Sequence, residues 1–523
     1  MNRLEIVDSF QVSDLCHVLH RCIKYKDLAS ARIAHSIIIR DNLDKNDILG
    51  GLLVQLFSLC QSLIDVNLAF CQTLKPNLLT WHAIICAYES LGECQQVVDL
   101  YGKLQEQDIL PDKLIFVSIV KACGSICDKT QGFLVHDKIV KLGLDLDVAI
   151  GTTLVRMYCK WDYLSTGHEV FSNLRNRNVV TWGAIIDGYA QRGHALAALD
   201  LFCQMHREGI EPNKVIFLSV LKACSSVGNL LQGQCLHCWI LRSGLEIDVC
   251  VENALIYMYA KHGNVKEAEY LFLKSKKLDV VSYGTMILGY VQHGYDLCAL
   301  RLFAKMQNEG TISNRYIFSC TLKACGNMKS LEQGRLLHGE ITKYAFESCV
   351  AVGSALVDMY IKCECLSEAI ETFETLPSRN DVSWSVMILG CAQLDRVHLC
   401  FDFFNRMVKD DVMATSVTFL GILKACVILG SLEHGRLIHA QVLESGFEQN
   451  VPIGSALVDM YAKCQSIEDA RKSFNVLPEK NIVAWCAMMW GYVDQGQGPA
   501  SLELLEKMPE ENLKPNNVTF LCA

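Results

Sequence analysis

Five histidines, His35, His136, His237, His338 and His439, recur at intervals of 101 residues. Histidine beside cysteine or glutamate is the ligand chemistry of a catalytic zinc ion, which turns a bound water into a nucleophile. Two fragments offer parts of such a site. Cys235-Leu-His-Cys238 places two thiols and an imidazole within four residues. His338-Gly-Glu340 matches the His-x-Glu half of the zinc deaminase signature, in which the glutamate moves protons for the metal-bound water. The other half is missing. No Pro-Cys-x-x-Cys occurs, and the cysteine pair precedes the His-x-Glu in another part of the chain, in the wrong order. His237 and His338 belong to the periodic column, which accounts for them without a metal. Side chains at one phase of a repeat are expected to pack or hydrogen-bond between helices. No Gly-rich phosphate loop and no nucleophile elbow is present. No catalytic residue, metal or cofactor is expected.

The same period governs other residue types. Cys22, Cys123, Cys224, Cys325 and Cys426 are 101 apart, as are Trp81, Trp182, Tyr283, Trp384 and Trp485. Three unrelated columns in register mean that one supersecondary unit is copied along the chain. Each block divides into three helical hairpins. In 179–213, Trp182, Ile185, Ile186 and Tyr189 follow the i, i+3, i+4, i+7 stripe of a helix, ended by Gly193. Ala198, Leu201 and Met205 form the stripe of a second helix, closed by Gly209 and Pro212. Hairpins carrying the His column are expected at 12–46, 113–147, 214–248, 315–349 and 416–450. Shorter ones follow at 47–77, 148–178, 249–279, 350–380 and 451–481. Those carrying the aromatic column span 78–112, 179–213, 280–314, 381–415 and 482–516. The domain reading is therefore a short N-terminal extension, 1–11, then fifteen hairpins over 12–516 in five blocks, then a sixteenth cut short at 517–523. An end inside a hairpin, with no polar cap, reads as a truncated product. The expected fold is all-α, a solenoid of helix-turn-helix repeats that bury their apolar faces on one another. The aromatic column is expected in that core rather than as a platform for stacked bases.

Composition narrows the partners. A net charge of −9 argues against gripping nucleic acid by bulk charge, but not against a partner read by stacking and base-edge contacts. The 26 cysteines recur at equivalent helical phases, which stacks them rather than pairing them; they read as small buried packers in a reducing compartment. No apolar run is long enough to span a bilayer, so no membrane partner is expected. The first residues carry Glu5 and Asp8 and show neither a signal-peptide core nor an evident transit peptide.

Segments such as VVTWGAIIDGYAQRGHALAALDLFCQM, GSALVDMYAKC and VTFLGILKACVILGSLEHGRLIHA resemble pentatricopeptide repeat proteins. The alternation of long and short hairpins resembles, more narrowly, the plant subclass with P-, L- and S-type repeats. Here the His-column, short and aromatic-column hairpins would be L-, S- and P-type. The resemblance implies a right-handed superhelix that binds single-stranded RNA, one base per hairpin. In the family, the fifth and last residues of a hairpin choose the base, and the second residue supplies an aliphatic face that sandwiches it. Carried over, Thr152 with Asn178, Ser354 with Asn380 and Ser455 with Asn481 resemble adenine pairs, and Asn253 with Asp279 a uracil pair. The implied core is 5′-A-n-n-U-n-n-A-n-n-A-3′. Gly183 with Asn213 and Gly284 with Asn314 lack a side chain at the fifth position and lean only toward a purine. His82/Asp112, Ser385/Thr415, Cys486/Asn516 and Gly51/Asn77 are off the pattern, and the L-type hairpins are assigned nothing. Val180, Val281, Val382 and Val483 would sandwich bases.

Lys160, Lys261, Lys362 and Lys463 form another column. Two readings stay open: phosphate neutralisation, or solvated helix ends where lysine is favoured by the helix dipole. The resemblance implies C-to-U editing of an organellar transcript, mitochondrial or alternatively chloroplast, with a deaminase or other editing factor supplied in trans. Transcript stabilisation or processing by site occlusion is the alternative within the class. A protein-binding helical scaffold is the alternative outside it.

Overall fold

The computed structural model describes residues 12–522 except 42, 44–45, 74–75, 246–247 and 512. The expected extension at 1–11 lies outside the described residues. Among the described residues all regular structure is helical, 31 α-helices and a short 3-10 turn. None is long and apolar enough to cross a membrane.

The helices begin where the sequence supplies a cap. Asn77, Asp112, Asn178, Asn213, Asn314, Asn380 and Asn481 each precede a first helix, and each side chain accepts a hydrogen bond from a backbone N–H two or three residues on. That satisfies one of the orphan donors of the first turn, worth about 1 kcal/mol. The residue that closes one hairpin is thus the cap that opens the next. Second helices often end at a glycine with positive φ, such as Gly209 or Gly310.

The chain forms two compact units, Met1–Met258 and Tyr259–Ala523. In the N-terminal unit, helices Lys113–Ile126, Val148–Lys160, Val179–Gln191 and Lys214–Val227 pack side by side in chain order. The second helices lie against the first helix of their own hairpin and of the next, for example Ala195–Arg207 against Lys214–Val227. The C-terminal unit repeats this. Its first-helix layer runs Val280–Gln292, Arg315–Asn327, Val350–Lys362, Asp381–Gln393, Ser416–Leu429, Val451–Lys463 and Ile482–Asp494. The protein is an α-solenoid of helix pairs.

The periodic columns are the core. Trp81, Trp182, Tyr283, Trp384 and Trp485 are all buried. Each meets a phenylalanine of the preceding second helix edge-on: Phe70, Phe171, Phe272, Phe373 and Phe474, with ring centroids 4.7–5.3 Å apart. That geometry sets the positive ring edge against the negative face. Close approach of first helices needs small residues: a Cβ on Gly188 would stand 2.3 Å from Cys159 Sγ, and one on Gly390 2.3 Å from Ile361 Cδ1. Cys123, Cys224, Cys325 and Cys426 are fully buried, and no disulfide joins cysteines among the described residues. Burial pushes the thiols of Cys123, Cys325 and Cys426 up to about 12.

The histidine column joins neighbouring hairpins. His136, His338 and His439 each place Nδ1 2.7–2.9 Å from a tyrosine hydroxyl, of Tyr158, Tyr360 and Tyr461. His35 meets Gln72 Oε1 at 3.0 Å instead. These partners make the column an interface between hairpins.

Candidate nucleic-acid interface

On the first helix of a hairpin, the second, fifth, ninth and thirteenth residues share one stripe, because successive members are three or four residues apart. The second residue is exposed in every aromatic-column hairpin: Leu79, Val180, Val281, Val382 and Val483, with the four valines 45–57% accessible. Branched aliphatic side chains left in water at one recurring place are unexplained by folding. The row continues in the His-column hairpins as Leu114, Val215 and Val417.

The fifth residues lie deeper. Thr152, Asn253, Ser354 and Ser455 are all buried. The structure brings Ser455 and Asn481 together directly: Ser455 Oγ donates to Asn481 Oδ1 at 3.0 Å, and that oxygen also accepts from Ala484 N at 2.9 Å. Thr152 reaches Asn178 through a relay. Its Oγ1 lies 2.8 Å from Thr181 Oγ1, which donates to Asn178 Oδ1 at 3.1 Å. Ser354 Oγ turns back to Val350 O, while Asn380 Oδ1 caps Ser383 N. Asp279 Oδ1 caps Ser282 N and accepts from the Ser282 hydroxyl. Asn213 and Asn314 cap Ile216 and Ile317 beside Gly183 and Gly284. In every asparagine of this set the cap engages Oδ1. The amide nitrogen Nδ2, a donor, stands outside the cap.

A cavity of ≈ 460 Å³ opens along the N-terminal unit's first-helix layer. Lys160, Val180, Gly183 and Asn213, one from each expected role, line it together with Arg156 and Asp187. Lys160 Nζ reaches Ser125 Oγ at 3.5 Å on the preceding first helix. The guanidinium of Arg192 caps the end of the Lys160 helix through Cys159 O and Lys160 O. In the C-terminal unit two members of the lysine column have carboxylate partners on their own helix: Lys362 pairs with Asp358 at 2.8 Å, Lys463 with Asp459 at 3.0 Å. Lys261 ends the helix Val249–Lys261.

A second lysine column escaped the sequence reading. Lys121, Lys222, Lys323 and Lys424, each two residues before a cysteine of the Cys column, are the ninth residues of the His-column hairpins and are exposed. The 101-residue spacing was the available signal. Lys121 pairs with Glu89 at 2.8 Å. The off-pattern hairpin of Ser385 is knit closed: Ser385 Oγ lies 2.9 Å from Thr415 Oγ1 and 2.7 Å from Thr418 Oγ1.

Profiles described as PPR repeat match residues 79–109, 253–280, 281–311, 382–412 and 483–513, and one described as PPR repeat family matches 177–226. A pentatricopeptide repeat-containing protein of Arabidopsis thaliana is 33% identical over 502 residues, covering 95% of this chain and 69% of that protein. The chain belongs to the pentatricopeptide repeat family. A mitochondrial member from the same plant is 32% identical over 95% of the chain and 72% of its own length. A chloroplastic member is 32% identical over 97% of the chain and 62% of its own length. The crystal structure of maize PPR10 shares the fold, with a TM-score of 0.63 at 15% identity, covering 99% of this chain and 86% of that one. PPR10 has also been crystallised in complex with an 18-nt psaJ RNA element; that structure has a TM-score of 0.47 at 14% identity over 98% of this chain and 89% of that one.

Proposed function

We propose that this pentatricopeptide repeat protein binds single-stranded RNA in a plant organelle, one nucleotide per hairpin. The hairpins are of the P, L and S types, and the bound transcript is addressed for C-to-U editing by a deaminase supplied in trans. One observation carries the binding reading: an exposed aliphatic second residue recurs beside an asparagine whose oxygen is fixed by capping and whose amide nitrogen is left to donate. The aliphatic residue can face a base, and the fixed amide can meet a Watson–Crick edge. In one hairpin the buried fifth residue holds that amide directly, Ser455 on Asn481, and in another Thr152 reaches Asn178 through Thr181. Asp279 in the same role presents acceptors only, which suits the N3–H of uracil. Mitochondrion is the preferred compartment and chloroplast the alternative, in keeping with how relatives are named.

The test is a gel-shift titration of the chain with a short RNA containing 5′-A-n-n-U-n-n-A-n-n-A-3′, beside the same RNA with its U changed to A. Asn253→Thr/Asp279→Asn is tested on both. Preference for U in the wild type and for A in the double variant supports the reading. Binding to neither RNA at low salt sinks it and favours a protein-binding scaffold.

A further inference from the structure

We infer that in the C-terminal unit the phosphodiester backbone of the RNA is held by Lys323 and Lys424, not by Lys362 and Lys463 of the short hairpins. This rests on the RNA-binding reading above. All four lysines lie on the first-helix stripe defined above, Lys323 and Lys424 at the ninth residue of their hairpins and Lys362 and Lys463 at the thirteenth. Lys362 and Lys463 already have a carboxylate one helical turn away, Asp358 and Asp459. Each such pair is neutral, and a phosphate would have to displace the carboxylate and meet its repulsion. Lys323 and Lys424 make no ion pair among the described residues, and both are exposed.

Their surroundings explain why. Lys121, in the same register, is paired because Glu89 stands on the preceding first helix. At the place of Glu89, the helices preceding Lys323 and Lys424 carry Val291 and Ala392. Helix Val280–Gln292, packed against the Lys323 helix, has no ionisable acid or base other than tyrosine. Helix Asp381–Gln393, packed against the Lys424 helix, has Asp381 in its first turn as its one carboxylate, and otherwise only the buried thiol of Cys391. On the other side, the helices of Asp358 and Asp459 bring carboxylates already committed to Lys362 and Lys463. Lys362 also lies 3.4 Å from Asn327 Oδ1, one turn beyond Lys323, so both lysines border the same strip of surface. The N-terminal unit is mixed. There Lys121 is neutralised, Lys222 is exposed and makes no ion pair among the described residues, with Ala190 at the place of Glu89, and Lys160 has Arg156, not aspartate, one turn before it in the cavity wall. The hairpins with no assigned base would thus grip the backbone where the short hairpins cannot.

The experiment is the salt dependence of binding of the 5′-A-n-n-U-n-n-A-n-n-A-3′ RNA by the full chain. Wild type is compared with Lys323→Gln/Lys424→Gln, Lys362→Gln/Lys463→Gln and Asp358→Asn/Asp459→Asn. Each single-strand phosphate contact contributes about 0.7 to the slope of log K against log salt. Lys323→Gln/Lys424→Gln should flatten the slope by about 1.4, so that going from about 50 to 200 mM salt costs about sevenfold less affinity than in wild type. Lys362→Gln/Lys463→Gln should leave the slope unchanged. Asp358→Asn/Asp459→Asn, which frees two lysines, should steepen it. An unchanged slope in Lys323→Gln/Lys424→Gln with unaltered thermal unfolding, or a flattening confined to Lys362→Gln/Lys463→Gln, overturns the inference. A wild-type chain that binds no RNA removes the RNA reading itself, an outcome distinct from either.

Discussion

Asn481 does two jobs that one substitution series separates. Its Oδ1 accepts from Ala484 N at 2.9 Å and from Ser455 Oγ at 3.0 Å, which caps the helix Ile482–Asp494 and fixes the amide plane. Asn481→Asp keeps an acceptor at that place and adds negative charge at a helix N-terminus, where the dipole favours it. Stability should therefore change by no more than a few tenths of a kcal/mol. The other terminal atom turns from a donor into an acceptor. Adenine N1 then faces an acceptor, while guanine N1–H finds one. The preference for A over G at the nucleotide read by this hairpin should fall by about 1–3 kcal/mol, roughly 5- to 150-fold. Asn481→Ala should weaken all bases alike and lower stability by about 1 kcal/mol through loss of the cap. Ser455 would not be orphaned there, because its one hydroxyl proton can go wholly to Val451 O, 2.7 Å away. Competition binding with A and G at that nucleotide, beside urea unfolding, reads both quantities. The reasoning is refuted if Asn481→Asp keeps its A preference, or if it unfolds as readily as Asn481→Ala.

Other expectations follow from packing and burial. A Cβ on Gly421 would stand 3.0 Å from Leu389 Cα, a backbone atom that cannot swing aside. Gly421→Ser, the residue found at the equivalent Ser118 and Ser219, should destabilise the C-terminal unit by about 1–3 kcal/mol in urea unfolding. Thiol labelling at neutral pH followed by mass spectrometry should modify the exposed Cys235, Cys238 and Cys250. It should spare Cys123, Cys325 and Cys426, whose burial holds them protonated; early labelling of Cys325 would contradict the packing. Burial holds the imidazoles of His136 and His439 below the ordinary histidine value. The unfolded chain then binds more protons, so this contribution to stability is present above about pH 6.5 and is lost as pH falls below it. The urea midpoint should drop on acidification, and His136→Gln/His439→Gln should flatten the drop; an equal drop in that variant counts against the assignment.

Much of this was legible in the sequence because its causes are local or periodic. Each junction asparagine or aspartate caps through contacts two or three residues away, so the helix starts could be placed from residue type alone. The Trp, Cys and His columns read as interior or interface because identical phase forces identical environments, and the Phe171–Trp182 and His439–Tyr461 contacts show those environments. The Asp358–Lys362 pair was also visible in principle, one turn apart on a helix. Other features needed the fold. Nothing in the spacing says that Ser455 is buried and holds Asn481, or that Thr152 reaches Asn178 only through Thr181, since these bonds cross from one helix to the next. Nor does the spacing say that Lys121 is neutralised by Glu89 while Lys323 and Lys424 are left open. Capping and periodicity act within a helix and repeat with it. Which hydrogen bonds and charges remain available to a ligand depends on the neighbouring helix, and that is decided only when the hairpins stack.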